Sequence, residues 1–189
     1  SLFAHQKIMN LSNINNLVEL FFKQFENQKD KKKVLLSSLK DKNINFTWEK
    51  TYQAINILSE EIKKNVTKGD RCLLVSENRP EWFISDLSIM LSGSITVPAY
   101  TTYAERDYEY IINDCSPSVV FVSNDEQFRK LKNIIKNKNF IKKIFSFEKL
   151  SDIKEDNYIN VNDLFSKSTD ENSNSKIEIT RKDPACIIY

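Results

Sequence analysis

Residues 68–123 read KGDRCLLVSENRPEWFISDLSIMLSGSITVPAYTTYAERDYEYIINDCSPSVVFVS, and this stretch decides the fold. Three short apolar runs, at 72–75, 95–97 and 119–122, are separated by two segments with helical spacing. Strands that alternate with helices build βαβ units on a mostly parallel sheet. Strands buried on both faces read as continuous apolar runs rather than as alternation, and all three do so. The turns fit the same reading. Pro80 suits a first helical position, where its missing N–H is not needed, and Glu81 beside it suits the positive end of a helix. Gly93 is placed to end that helix, and Pro98 to end the second strand. Thr102 with Glu105 reads as the cap of the next helix, whose buried side is Tyr108, Ile111, Ile112 and Cys115.

Upstream, Ile14, Leu17, Leu20, Phe21 and Phe25 recur at three- and four-residue spacing, which predicts an amphipathic helix. It ends in the charged run 28–33. Short strands at 34–36 and 45–47 form a hairpin, and Thr47 caps a helix with the stripe Trp48, Tyr52, Ile55, Leu58 or Ser59, and Ile62. Lys50 stands where a capping box needs Glu or Gln. Downstream, Asn124 with Gln127 opens a helix carrying Phe128, Leu131, Ile134 and Ile135 inward. A strand follows over 140–147. Residues 151–176 are polar, with a short helix at 162–165 and a loop at 166–175, and a last strand enters at 185–189. The fold class is therefore α/β, an incomplete mostly parallel sheet flanked by helices and preceded by an amphipathic helix and a short hairpin. Residues 1–13 form an N-terminal extension, and 14–189 form one portion of a larger domain.

The chain has 189 residues, with 28 basic and 26 acidic side chains interspersed to give a net charge of +2. That balance implies no strongly counter-charged partner. The lysine runs at 29–33 and 136–143 lack arginine and interleaved aromatics, so nucleic acid is not an expected partner. Cys72, Cys115 and Cys186 are odd in number and lie in or beside apolar runs, as reduced buried thiols of a cytoplasmic protein do. No run approaches the roughly 18 apolar residues of a membrane span. Peripheral membrane association stays open, although the first helix is a weak anchor because its polar side is not basic before Lys29.

Chemistry is sparsely marked. The single histidine, His5, reads as a surface residue. No GxGxxG, phosphate loop, CxxC, HExxH or GxSxG occurs, and the two glycines lie far apart. Glu77 and Glu81 flank a strand-end turn, and Asp107, Glu109 and Asp114 lie near a helix; such acids usually cap and solubilise. Arg71, Arg79 and Arg106 could hold an anion, with Arg79 in a loop beyond a strand's carboxyl end, but an exposed loop arginine is the plainer reading. Tyr100 and Tyr103 follow the second strand on the side where open α/β sheets place ligands. They are the substrate-side candidates. Trp82 and Phe83 read as core. From these residues the catalytic, cofactor and metal assignments are all none.

Taken together, order and spacing resemble the opening of the adenylate-forming acyl-CoA synthetase family, the AMP-binding ligases. Phe46-Thr47-Trp48-Glu49-Lys50-Thr51 resembles the family's threonine–aromatic segment. Lys68 to Val75 resembles its glycine–aspartate–arginine–valine strand, with Cys72 for valine. Ser76 to Trp82 resembles its asparagine–x–proline–glutamate–aromatic turn. Leu91 to Tyr100, with Tyr110 to Cys115, resembles its valine–proline strand and the helix beyond. Tyr100 followed by Thr101 and Thr102 is most similar to the long-chain fatty acyl branch.

The resemblance implies an enzyme using ATP, Mg²⁺ and coenzyme A to convert a small-molecule carboxylate into an acyl-adenylate and then a thioester. It also implies that residues 183–189 lead into a phosphate loop lying beyond Tyr189. The 189 residues alone are then expected to be inactive, with the remainder of their own chain as partner. The rival readings are a relative acting on a short-chain, aryl or amino-acid carboxylate, and a non-catalytic α/β interaction module.

Overall fold

The structure, a computed structural model, describes residues 17–154 and 156–167. The N-terminal extension with His5 and Ile14, Cys186, the strand at 185–189 and most of the loop at 166–175 lie outside the described residues.

Helix α1 (Leu17–Asn27) leads into an antiparallel hairpin of β1 (Val34–Ser37) and β2 (Asn45–Thr47), then into helix α2 (Trp48–Lys63). Thr47 caps α2 as the sequence predicts, its side chain accepting from the Lys50 N–H at 3.1 Å. From β3 (Arg71–Val75) the chain alternates through α3 (Pro80–Leu91), β4 (Ile95–Ala99), α4 (Glu105–Cys115), β5 (Val119–Val122), α5 (Asp125–Ile135) and β6 (Lys143–Ser146). It continues through β7 (Tyr158–Asn160) into α6 (Val161–Ser166). β3 to β7 form one five-stranded sheet in the order β4-β3-β5-β6-β7, every pair parallel.

Period-two alternation divides the core. Cys72, Leu74, Val119, Phe121 and Phe145 face α1, α2, α3 and α6, joining Phe21, Trp48, Ile55, Leu58, Ile84 and Leu87. Leu73, Val75, Val97, Val120, Val122 and Ile144 face α4 and α5 through Tyr108, Ile111, Ile112, Phe128 and Leu131. Phe121 stacks on Phe145 at 4.8 Å between ring centroids, in the middle of the sheet. Cys72 and Cys115 are free and buried, and desolvation pushes the Cys72 thiol up to about 12, well out of the nucleophilic range.

Pro80 stands at the start of α3 as expected, and Gly93 closes the helix with φ +83°. The Gly93 N–H donates to the Met90 carbonyl at 3.0 Å and the Ser94 N–H to the Ile89 carbonyl at 3.1 Å, the paired bonds of a Schellman cap. An L-residue in that left-handed conformation costs about 1–2 kcal/mol. Gly93→Ala is therefore expected to destabilise the protein by that amount, read as a lower urea midpoint at unchanged slope.

Four expectations change. The α1 stripe is rotated: Val18 and Phe21 are buried, whereas Leu17 is 45% exposed. The aromatic side of α1 packs on the core, Phe21 lying 5.9 Å from Trp48 and Phe25 stacking on Tyr52 at 4.2 Å. The cap of α4 is Ala104 rather than Thr102, with Asp107 rather than Glu105 reaching back to accept its N–H at 3.0 Å. β6 is shorter than 140–147, and β7 forms inside a segment read as polar and irregular.

Candidate functional site

In open parallel sheets ligands sit beyond the carboxyl ends of the strands, where the strand order reverses. Here β3 is followed by β4 on one side and β5 on the other, so the reversal lies between β3 and β5. The loops leaving that end are 76–79 after β3, Tyr100–Ala104 after β4, Ser123 and Asn124 after β5, and Phe147 and Glu148 after β6.

Arg79 is the centre of this edge. Its guanidinium donates to Glu81 at 2.7 and 3.2 Å, to Glu148 at 2.6 Å and to Glu77 at 3.2 Å, and lies 5.6 Å from the centroid of the Phe147 ring. Its side chain is only 16% exposed, so the exposed-loop reading of Arg79 is corrected: three carboxylates and an aromatic face hold it down. Glu81, 2% exposed, sits in the first turn of α3, where the helix dipole favours negative charge. Its Oε1 has no hydrogen-bond partner, so the Arg79 fork on Oε2 is what compensates the buried charge. Burial raises the Glu77 carboxyl, but its own backbone N–H and the polar Ser123 side chain, with Arg79 and Lys40 nearby, outweigh this and hold it below its ordinary value.

The loop after β6 is fixed from three sides. The Ser146 hydroxyl pairs with the Tyr158 hydroxyl at 2.6 Å, the Asn162 amide donates to the Phe147 carbonyl at 2.7 Å, and the Ser151 N–H and hydroxyl both donate to Asp125. This ladder turns β7 and α6 into supports of the edge. The tyrosines occupy its β4 end. Tyr100 is 69% exposed, and Tyr103 meets it edge-on at 5.4 Å. Their loop is held by the Tyr108 hydroxyl, which donates to the Tyr100 carbonyl, and by Lys130, which donates to the Thr101 carbonyl. Parallel register of Val75 with Ala99 brings the loop after β4 beside the loop after β3.

The structure thus gathers Glu77, Arg79 and Glu81, and sets Tyr100 and Tyr103 on the neighbouring loop. It adds Glu148, which is 69 residues from Arg79 and carries no local sequence signal. Arg71 stands at the opposite end of the sheet, donating to the Cys115 carbonyl at 2.8 Å and the Gly69 carbonyl at 3.2 Å. Arg106, Glu109 and Asp114 lie on the exposed side of α4, and Asp107 caps it. Trp82 and Phe83 pack against the core as read. Asp86, half-buried on α3, is raised by desolvation and receives the Thr96 hydroxyl at 2.7 Å, a bond that ties the helix to β4.

A phosphate chain needs clustered backbone N–H groups and positive charge. The described residues do not fit one. Gly69 and Gly93 are bonded to each other at the amino end of the sheet, through the Gly69 N–H and Gly93 carbonyl at 2.8 Å. At the carboxyl end three glutamates surround one committed arginine. No group of three or more His, Cys, Asp or Glu arranged for a metal occurs among the described residues. This edge is a braced scaffold, with one exposed aromatic face.

A model of the AMP-binding enzyme family matches residues 21–189. Among curated proteins, Fatty acyl-CoA synthetase A of Dictyostelium discoideum is 37% identical over 68 residues, which are 36% of this chain and 10% of that protein. Long-chain-fatty-acid–CoA ligase FadD15 of Mycobacterium tuberculosis is 34% identical over 64 residues, 34% of this chain and 11% of its own. Long chain acyl-CoA synthetase 3 of Arabidopsis thaliana is 30% identical over 102 residues, 53% of this chain and 15% of its own. The chain therefore matches only 10 to 15% of the length of these relatives. Of solved structures, the coronafacic acid ligase of Pectobacterium brasiliense superposes with a TM-score of 0.78 at 21% identity, over 92% of this chain and 33% of that one. The anthranilate CoA ligase AuaEII superposes with a TM-score of 0.70 at 22% identity, over 89% and 30%. At such identities the structures report a shared fold.

Proposed function

The chain belongs to the AMP-binding enzyme family, and from that premise we propose that the protein carrying it is an acid–thiol ligase that uses ATP to join a long-chain fatty carboxylate to coenzyme A. The observation that carries the fatty acyl reading is the similarity, over as much as 53% of this chain, to curated proteins named as long-chain or fatty acyl-CoA synthetases. Within that reaction residues 17–167 act as scaffold. They contribute a sheet edge clamped by Arg79, and the Tyr100 and Tyr103 face is proposed as a substrate-side surface. Residues outside the described ones supply phosphate binding, because the edge described here is acidic and lacks a glycine-rich turn.

The test compares the 189-residue chain with the full-length protein in an assay of ATP-dependent pyrophosphate release. The full-length protein is expected to release pyrophosphate only when a long-chain fatty acid is present, and the 189 residues are expected to release none. Turnover by the isolated folded chain would overturn the scaffold reading. Full-length turnover confined to aryl or short-chain acids would overturn the fatty acyl reading while leaving the family reaction intact.

A further inference from the structure

The loop after β4 is closed by its own bonds and is then held a second time from behind. Within it, the Tyr103 N–H donates to the Tyr100 carbonyl at 3.4 Å, the bond that closes a four-residue turn. The Ala104 N–H donates to the Asp107 carboxylate at 3.0 Å, which starts α4. These contacts suffice to link the strand to the helix. Two more donors nevertheless reach the same turn. The Tyr108 hydroxyl, from α4, donates to the Tyr100 carbonyl, and the Lys130 ammonium, from the middle of α5 and 29 residues away in sequence, donates to the Thr101 carbonyl.

Both donors are committed to this bond. Tyr108 is fully buried, its ring 5.9 Å from that of Tyr103, which in turn meets Tyr100 edge-on. Burial pushes the Tyr108 hydroxyl up to about 12, so it stays a protonated donor through the working pH range. Lys130 is half-buried, and a lysine held on a backbone carbonyl gives up hydration and side-chain freedom. Since the turn is already closed, what the two bonds add is orientation. They draw both carbonyls inward and fix the backbone of Tyr100 and Thr101 against two helices as well as the strand.

The register of Val75 with Ala99 sets this loop beside the one after β3, at the end of the sheet where open α/β folds place ligands. A loop held in its binding geometry has no freedom left to lose when a substrate arrives. A loop released from its two outside bonds has some, and the loss falls on binding rather than on the chemical step. We propose that Tyr108 and Lys130 are positioning residues for the fatty carboxylate, holding the Tyr100–Tyr103 loop in the conformation that receives it without touching the substrate themselves. This rests on the ligase reading given above and on its substrate-side surface.

The experiment is steady-state kinetics of the full-length protein with a long-chain fatty acid, ATP and coenzyme A, each varied in turn. Tyr108→Phe keeps the buried ring and removes only the donor, and Lys130→Met keeps the stem and removes the charge. Each is expected to raise KM for the fatty acid roughly two- to tenfold, the scale of one lost hydrogen bond, with kcat within about twofold and KM for ATP and coenzyme A unmoved. Lys130→Arg, which retains a donor, is expected to recover most of the KM. An unchanged KM for the fatty acid in both Tyr108→Phe and Lys130→Met would overturn the proposal, whatever happens to the melting temperature. A rise confined to ATP or coenzyme A would overturn it by placing the loop against another substrate, and a fall in kcat alone would do so by placing the effect in the chemical step. Failure of the parent to turn over any fatty acid is a separate result, which removes the ligase reading and this proposal with it.

Discussion

Phe121→Ala is expected to cost about 3–5 kcal/mol, the range for deleting a fully buried aromatic ring. Phe121 is 0% exposed on β5, the central strand of the order β4-β3-β5-β6-β7, so no edge is available into which the sheet could relax. Its ring stacks on Phe145 at 4.8 Å and lies 6.4 Å from Phe147, whose face in turn carries Arg79. The cavity would therefore open beneath the clamped edge and loosen it. Phe121→Leu, which keeps most of the volume, is expected to cost much less. Urea unfolding checks the pair. A loss below about 1 kcal/mol for the alanine variant would mean that the two aromatic strands collapse together freely, contrary to a close-packed sheet face.

Arg79→Met is expected to cost about 2–3 kcal/mol, below the roughly 3–5 kcal/mol of breaking a fully buried pair, because only one of its three carboxylates is buried. Glu81 is 2% exposed and loses its ion-pair partner, whereas the Glu77 and Glu148 side chains are 28% and 55% exposed and can turn to water. In a domain of this size that loss lowers the melting temperature by roughly 4–12 °C. The identifying result is rescue. Adding Glu81→Gln removes the stranded charge and is expected to restore most of the loss, whereas Glu148→Gln is expected to restore little. Equal rescue by both would show that Arg79 answers the summed charge rather than the buried carboxylate. The parent also carries a pH signature from Glu77. Its folded pKa is depressed, so its contribution is present above the ordinary glutamate range near 4.3 and is lost as pH falls through the lower folded value. Arg79→Met, which removes one of the charges holding Glu77 down, is expected to weaken that acid sensitivity.

The parts legible in the sequence were those set by local chemistry. Pro80 and Gly93 bracket α3, Thr47 and Asn124 cap their helices, and three apolar runs become parallel strands. What escaped depends on distance in sequence or on very short elements. β7 has three residues, Tyr158–Asn160, and no room to show a period. Its place is secured by the Tyr158 hydroxyl, which meets Ser146 and the Leu150 N–H across the sheet edge. Arg79 looked like an open loop residue because Glu148 and Phe147 reach it only after two further βα units have been laid down. Glu77 and Glu81 were visible as a pair of acids, but their common partner was not. On α4 the cap moved by two residues because Asp107 reaches the Ala104 N–H, a match that the Thr102 and Glu105 spacing concealed. Tyr100 and Tyr103 fall beside one another as their spacing allows, and their role on the substrate side rests on the proposal above.

The most direct test of the account is product analysis. Full-length protein, ATP, Mg²⁺, coenzyme A and a mixture of long-chain fatty, short-chain and aryl carboxylates are incubated together, and the thioesters formed are identified by mass. The account predicts long-chain acyl-CoA as the dominant product, accompanied by AMP. No thioester from any acid in the mixture would contradict it.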